Sequence, residues 1–111
     1  MNRDAILNRL SGNVTLLKKV VQLFAEDSPK QMAQIQEAIA LQEGKALAAV
    51  AHTLKGSLLV LAADQAAATA EKLEASGREG RFGEAKRLFT TLEWEISELS
   101  AALQEIVKDL A

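Results

Sequence analysis

The stretch KALAAVAHTLKGSLLVLA, residues 45–62, decides the fold. Its apolar residues Leu47, Val50, Leu54, Leu58 and Leu61 recur at spacings of three and four, the pattern of a helix with one face against a core. The other face carries Lys45, Ala48, Ala49, His52, Lys55, Gly56 and Leu59. At 3.6 residues per turn, Lys55 and Gly56 follow His52 by three and four positions, so an ammonium and a missing side chain share the imidazole's face. Glycine inside a helix costs roughly 0.5–1 kcal/mol relative to alanine. Its place beside the chain's only histidine therefore marks a clearing for something large, on a small, flat, basic surface around a solvent-facing nucleophile.

The same periodicity continues on both sides. A short helix over Arg3 to Leu10 closes at Ser11-Gly12, where glycine can take the left-handed conformation. Asn13 then reads as an N-cap for a helix with Val14, Leu17, Val20, Val21 and Phe24 on one side. Pro29 lacks a backbone donor, so this helix either stops near Asp27-Ser28 and restarts, or continues with a kink. Met32, Ile35 and Ile39 carry the stripe on to a break at Glu43-Gly44. After the central helix, Asp64 is the expected cap of the next, which extends to Ser76-Gly77, with residues 76–81 as a loop. The last helix places Ala85, Leu88, Leu92, Ile96, Leu99, Leu103, Ile106 and Leu110 on one seam. Trp94 lies off that seam and reads as packing over the bundle end or the amino-terminal helix, with a second contact surface as the alternative. The predicted fold is all-α: an antiparallel up-and-down four-helix bundle with a short extra N-terminal helix.

Composition narrows the function. The 111 residues suit one domain and leave no room for ATP-binding kinase machinery. No cysteine is present, which removes disulfides, zinc thiolates and cysteine nucleophiles. A net charge of −2 argues against nucleic acid as a partner. The longest apolar run, residues 58–63, falls far short of the roughly 20 residues that span a bilayer. No membrane insertion is expected, and the protein is read as a cytoplasmic monomer.

The string His-Thr-Leu-Lys-Gly-Ser, from His52 to Ser57, resembles the phosphoacceptor motif of histidine-containing phosphotransfer (HPt) domains, which relay phosphoryl groups in multistep two-component signalling. The segment from Leu10 to Ile39, with Leu16-Leu17, Phe24 and Asp27-Ser28-Pro29, is similar to the family's approach to that helix. Residues 70–74, Ala-Glu-Lys-Leu-Glu, resemble its next helix, so the resemblance covers nearly the whole chain. Two positions depart from the pattern: Leu58 replaces a residue that is often small, and Ala62 stands where a second glycine is common.

The resemblance implies a phosphorelay intermediate in which His52 accepts a phosphoryl group from a receiver-domain aspartate and passes it to another receiver. Lys55 would offset charge on the phosphoryl oxygens, and Gly56 would admit the partner's loops with Ser57 in support. Ala48, Ala49 and Leu59 would belong to the partner-binding surface. The outward ring nitrogen is the implied nucleophile, although the residues alone leave the choice open. Partners are response-regulator receiver domains and, if this is a piece of a hybrid protein, a covalently linked sensor kinase. Magnesium is expected on the receiver and no cofactor or metal on this chain: the nearest acids along the sequence, Glu43 and Asp64, lie at the two ends of the His52 helix. The protein is therefore expected to be a histidine phosphotransfer protein and not an autonomous ATP-dependent kinase. Residues 1–111 read as a single HPt domain, free-standing or excised from a longer hybrid sensor kinase. The alternative function is a non-catalytic helical adaptor that binds a receiver through the same face. Retention of both His52 and Lys55 argues against it.

Overall fold

The computed structural model describes residues 3–110. It contains α1 (Arg3–Arg9), α2 (Val14–Ala40), α3 (Gly44–Val60), α4 (Asp64–Glu79) and α5 (Phe82–Leu110), with no strand among the described residues. The last four form the antiparallel bundle. Its longest dimension, 43 Å, matches the length of the 29-residue α5 at about 1.5 Å per residue.

Three successive helix ends close alike, and this closure sets the topology. After α2, Gln42 takes φ +55° and Glu43 N donates to the Ala38 carbonyl at 2.8 Å. After α3, Ala62 takes φ +56° and Ala63 N donates to Leu58 at 2.9 Å. After α4, Gly80 takes φ +70° and Arg81 N donates to Ser76 at 2.9 Å. Each is a left-handed cap that reverses the chain within a few residues and turns consecutive helices antiparallel. Ala62 holds a conformation that costs a non-glycine residue roughly 1–2 kcal/mol. Glycine at this position would meet no such penalty.

Asn13 caps α2 as expected, its side chain accepting from Leu16 N at 2.9 Å. Pro29 neither ends nor restarts that helix: α2 runs unbroken through it. Proline sits on the exposed side while Phe24, Ser28 and Ile35 keep the other side buried, so continuous packing outweighs one missing hydrogen bond. Several boundaries differ from the sequence reading, and α1 ends at Arg9, one residue before the expected Leu10. The central helix starts at Gly44 and ends at Val60, because Leu61 and Ala62 already belong to the closing turn. The N-cap of α4 is Ala63, without a side-chain bond, and Asp64 is the first helical residue, paired with Arg9 at 3.3 Å. Residues 76–79 are helical and not loop: Ser76 and Gly77 are buried within α4.

Gly77 explains that extension. A Cβ built there would lie 2.7 Å from the Gly44 carbonyl oxygen and 2.9 Å from Ala48 N. Backbone therefore meets backbone where the start of α3 crosses the end of α4. Further along, Leu47, Leu54 and Leu58 of α3, Leu61 at its C-terminal cap, Leu73 of α4, and Leu92 and Leu103 of α5 fill the core with little or no exposure. Leu58, the larger residue in the motif, simply occupies core volume. Ile6 attaches α1 to the bundle through complete burial. Among the described residues, no helix is long and apolar enough to cross a membrane.

Candidate functional site

The glycine contact between α3 and α4 lays Glu74, less than one turn before Gly77, under the motif face of α3. Glu74 is buried, with its side chain only 4% exposed, yet it is surrounded by donors. His52 Nδ1 lies 3.1 Å from Glu74 Oε2, and Lys55 Nζ lies 3.1 Å from Oε1. Arg78, one turn further along α4, donates its guanidinium to Oε2. Three basic side chains from two helices converge on one carboxylate.

Electrostatics decide the charge state of this cluster. Burial works to raise the Glu74 pKa, but the hydrogen bonds from Lys55 and His52 and the charges of Arg78 and Lys55 outweigh it. The net direction is down, so Glu74 is ionised at neutral pH and can only accept hydrogen bonds. Its contact with His52 therefore requires a proton on Nδ1. In the neutral ring, Nε2 is then left with the lone pair. The His52 side chain is 65% exposed, so that nitrogen belongs to a ring open to solvent while its other edge is fixed.

The remaining residues singled out from the sequence occupy different surroundings. Around Gly56 an added Cβ would meet nothing within 4 Å, so the clearing is real. Leu59 and Ala49 are exposed on the motif face, whereas Ala48 is half-buried with its backbone against Gly77. Ser57 is turned toward α2, where it lines a cavity with Leu23 and Val60. Thr53 Oγ1 bonds back to the Ala49 carbonyl at 3.2 Å. Arg9 of α1 donates to the Leu59 carbonyl at the end of α3. Trp94 does not pack over the bundle end: it is 63% exposed.

The largest departure concerns acids. The carboxylate nearest to His52 in space is neither Glu43 nor Asp64 but Glu74, 22 residues away in sequence. Glu74 and Arg78 are the site residues that sequence reasoning missed. One signal was available. Ala67, Ala70, Glu74 and Gly77 share a helical stripe, and a carboxylate among small buried residues requires partners.

Comparison with known proteins follows the same lines. The structure superposes on the crystal structure of histidine-containing phosphotransfer protein B (HptB) from Pseudomonas aeruginosa PAO1 with a TM-score of 0.80. The match covers 96% of this chain and 93% of that one at 23% sequence identity, a likeness of fold. No curated protein matches the sequence. The family model of the Hpt domain matches residues 19–108, a span that includes the motif helix and the Glu74 helix alike. With its fold and most of its length thus accounted for, the chain belongs to the Hpt domain family, the histidine phosphotransfer modules of phosphorelays.

Proposed function

We propose that His52 is the relay residue: it takes a phosphoryl group from a receiver-domain aspartate and delivers it to another receiver. The observation that carries this reading is the exposed imidazole whose Nδ1 is held 3.1 Å from a buried, ionised Glu74. In the forward step the Nε2 lone pair attacks phosphorus and the bond from phosphorus to the aspartyl oxygen breaks. That oxygen leaves with the electron pair as carboxylate. No proton has to move, because Nε2 carries none. The product ring bears a proton on Nδ1 and phosphorus on Nε2, and its positive charge faces Glu74. Return of the group reverses these bonds.

Lys55 and Arg78 supply positive charge beside the acceptor, where the phosphoryl oxygens of the transferred group concentrate negative charge. Both are held by Glu74, so their positions and that of the imidazole depend on one carboxylate. Gly56, Ala49 and Leu59 form the surface on which a receiver docks, with Ala48 at its seam and Ser57 in indirect support. Magnesium belongs to the receiver. The protein acts as a cytoplasmic monomer, a single domain over 1–111, either alone or as part of a hybrid kinase.

The test is to incubate the protein with an aspartyl-phosphorylated receiver and follow acid-labile phosphate on wild type and His52→Gln. Label confined to wild type is the expected result. Receiver binding without any label on the wild type would instead leave an adaptor.

A further inference from the structure

The end of the motif helix is held from outside. α3 closes at Val60 with no basic residue in its last turn, although the final carbonyls of a helix carry partial negative charge. Arg9 of α1 supplies the missing cation. Its guanidinium donates to the Leu59 carbonyl, which also accepts from Ala62 N at 3.0 Å in the closing turn. The same guanidinium reaches Asp64 Oδ1, at the first residue of α4, at 3.3 Å. One side chain therefore spans both sides of the turn at Ala62, whose left-handed backbone is unfavourable for a residue with a Cβ.

The placement of Arg9 follows from the chain around it. Ile6, three positions earlier and wholly buried, fixes α1 against the bundle, and Arg9 falls on the same helical face. Ser11 at φ +55° and Gly12 at φ +74° then turn the chain sharply into α2, with Gly12 N donating to the Leu7 carbonyl at 2.7 Å. This turn keeps α1 folded back beside the corner between α3 and α4.

The two contacts of Arg9 are unequal. Its pair with Asp64 joins side chains 41% and 69% exposed, and ion pairs so open to water contribute little. The contact with Leu59 acts on the helix end itself. Terminal turns fray, and a cationic donor on the last carbonyls holds them in helical register. Leu59 follows His52 by seven residues, about 10 Å along α3 and nearly two full turns, so its 44% exposed side chain shares the imidazole's face.

We infer that Arg9 is a positioning residue for receiver docking: by clamping the last turn of α3, it presents Leu59 in register with His52. The inference rests on the docking surface proposed above, and Arg9 acts through Leu59 without meeting the phosphoryl group.

Arg9→Met keeps an apolar stem and removes the guanidinium, whereas Asp64→Asn removes the ion pair alone. Amide hydrogen exchange of the full chain reads the clamp without any partner. Arg9→Met should speed exchange at Leu61, Ala62 and Ala63 roughly fivefold and leave Leu54 unchanged. Receiver binding is then measured by calorimetry, and transfer to His52 at saturating receiver is measured separately. Arg9→Met should weaken binding roughly fivefold with the saturated transfer rate unchanged, and Asp64→Asn should match wild type. In a Leu59→Ala background, Arg9→Met should weaken binding no further. Unchanged exchange, equal effects of Arg9→Met and Asp64→Asn, full additivity with Leu59→Ala, or a loss confined to the transfer rate would overturn the inference. A receiver that binds wild type without labelling His52 would fault the relay reading instead, and binding would still decide the role of Arg9.

Discussion

Glu74 and Glu95 are the same residue type, both buried, on adjacent helices of one small bundle, and they live in opposite conditions. Glu74 has Lys55, His52 and Arg78 around its two oxygens. Glu95 has an oxygen with no partner at all among the described residues. A buried charge without compensation is costly, so the two positions cannot have the same explanation. At Glu74 the carboxylate is a satisfied hub that orders an exposed imidazole and two cations. At Glu95 it is an unmet demand. Burial alone does not describe a carboxyl group; the donors within reach decide what it does.

The contrast can be broken first at the seam that creates it. Gly77→Val would drive a branched side chain into the Gly44 carbonyl and Ala48 N, and the helices would have to part. Loss of roughly 3 kcal/mol or more of unfolding free energy is expected in urea titrations, with phosphotransfer reduced as Glu74 leaves His52. Next is the carboxylate itself. Glu74→Ala should slow phosphoryl acceptance roughly ten- to hundredfold, by analogy with the loss of the carboxylate that orients a metal-bound histidine from behind. Glu74→Gln should fall between wild type and Glu74→Ala, because its amide oxygen can still accept from Nδ1 while its lost charge and second acceptor no longer hold Lys55 and Arg78. A merely structural Glu74 would give the two variants equal rates at equal stability.

Acid sharpens the comparison further. The Glu74 carboxyl is held below its ordinary value of 4.5, so the folded state favours its ionised form. Its contribution to stability is complete above about pH 4.5 and disappears as pH falls through the lower folded value. Denaturation curves between pH 7 and 3 should therefore fall more steeply for wild type than for Glu74→Gln. The smallest effects lie away from the hub. Ala62→Gly should raise stability by about 1 kcal/mol, since glycine accepts the left-handed conformation of this turn freely. Glu95→Gln should stay within about 1 kcal/mol of wild type by thermal denaturation, because it breaks no bond.

Much of the architecture was legible in the chain because it rests on local periodicity. The α5 seam from Ala85 to Leu110, the apolar stripe behind His52 and the Asn13 cap all express the 3.6-residue repeat or a local side-chain bond. Pro29 was undecidable, since its cost is local whereas the burial of Phe24, Ser28 and Ile35 that overrides it is not. Gly77 misled for a related reason: a glycine beside Ser76 and Arg78 carries a turn's composition, and only the approach of Gly44 makes it a packing residue. Trp94 lay off the seam, but its exposure depended on where the neighbouring helices end.

By itself, then, the sequence determined a helical bundle with an outward histidine, a lysine on the same face and a clearing beside them, since all three lie on one helix within two turns. The tertiary structure alone decided that Glu74 and Arg78 join them, and that Nδ1 is the occupied nitrogen. The contacts of Glu74 with Lys55 and His52 cross from one helix to another over 19 and 22 residues, a distance at which no periodicity operates and the packing of glycine on glycine helps set the register. Arg78 then follows through its place one turn beyond Glu74.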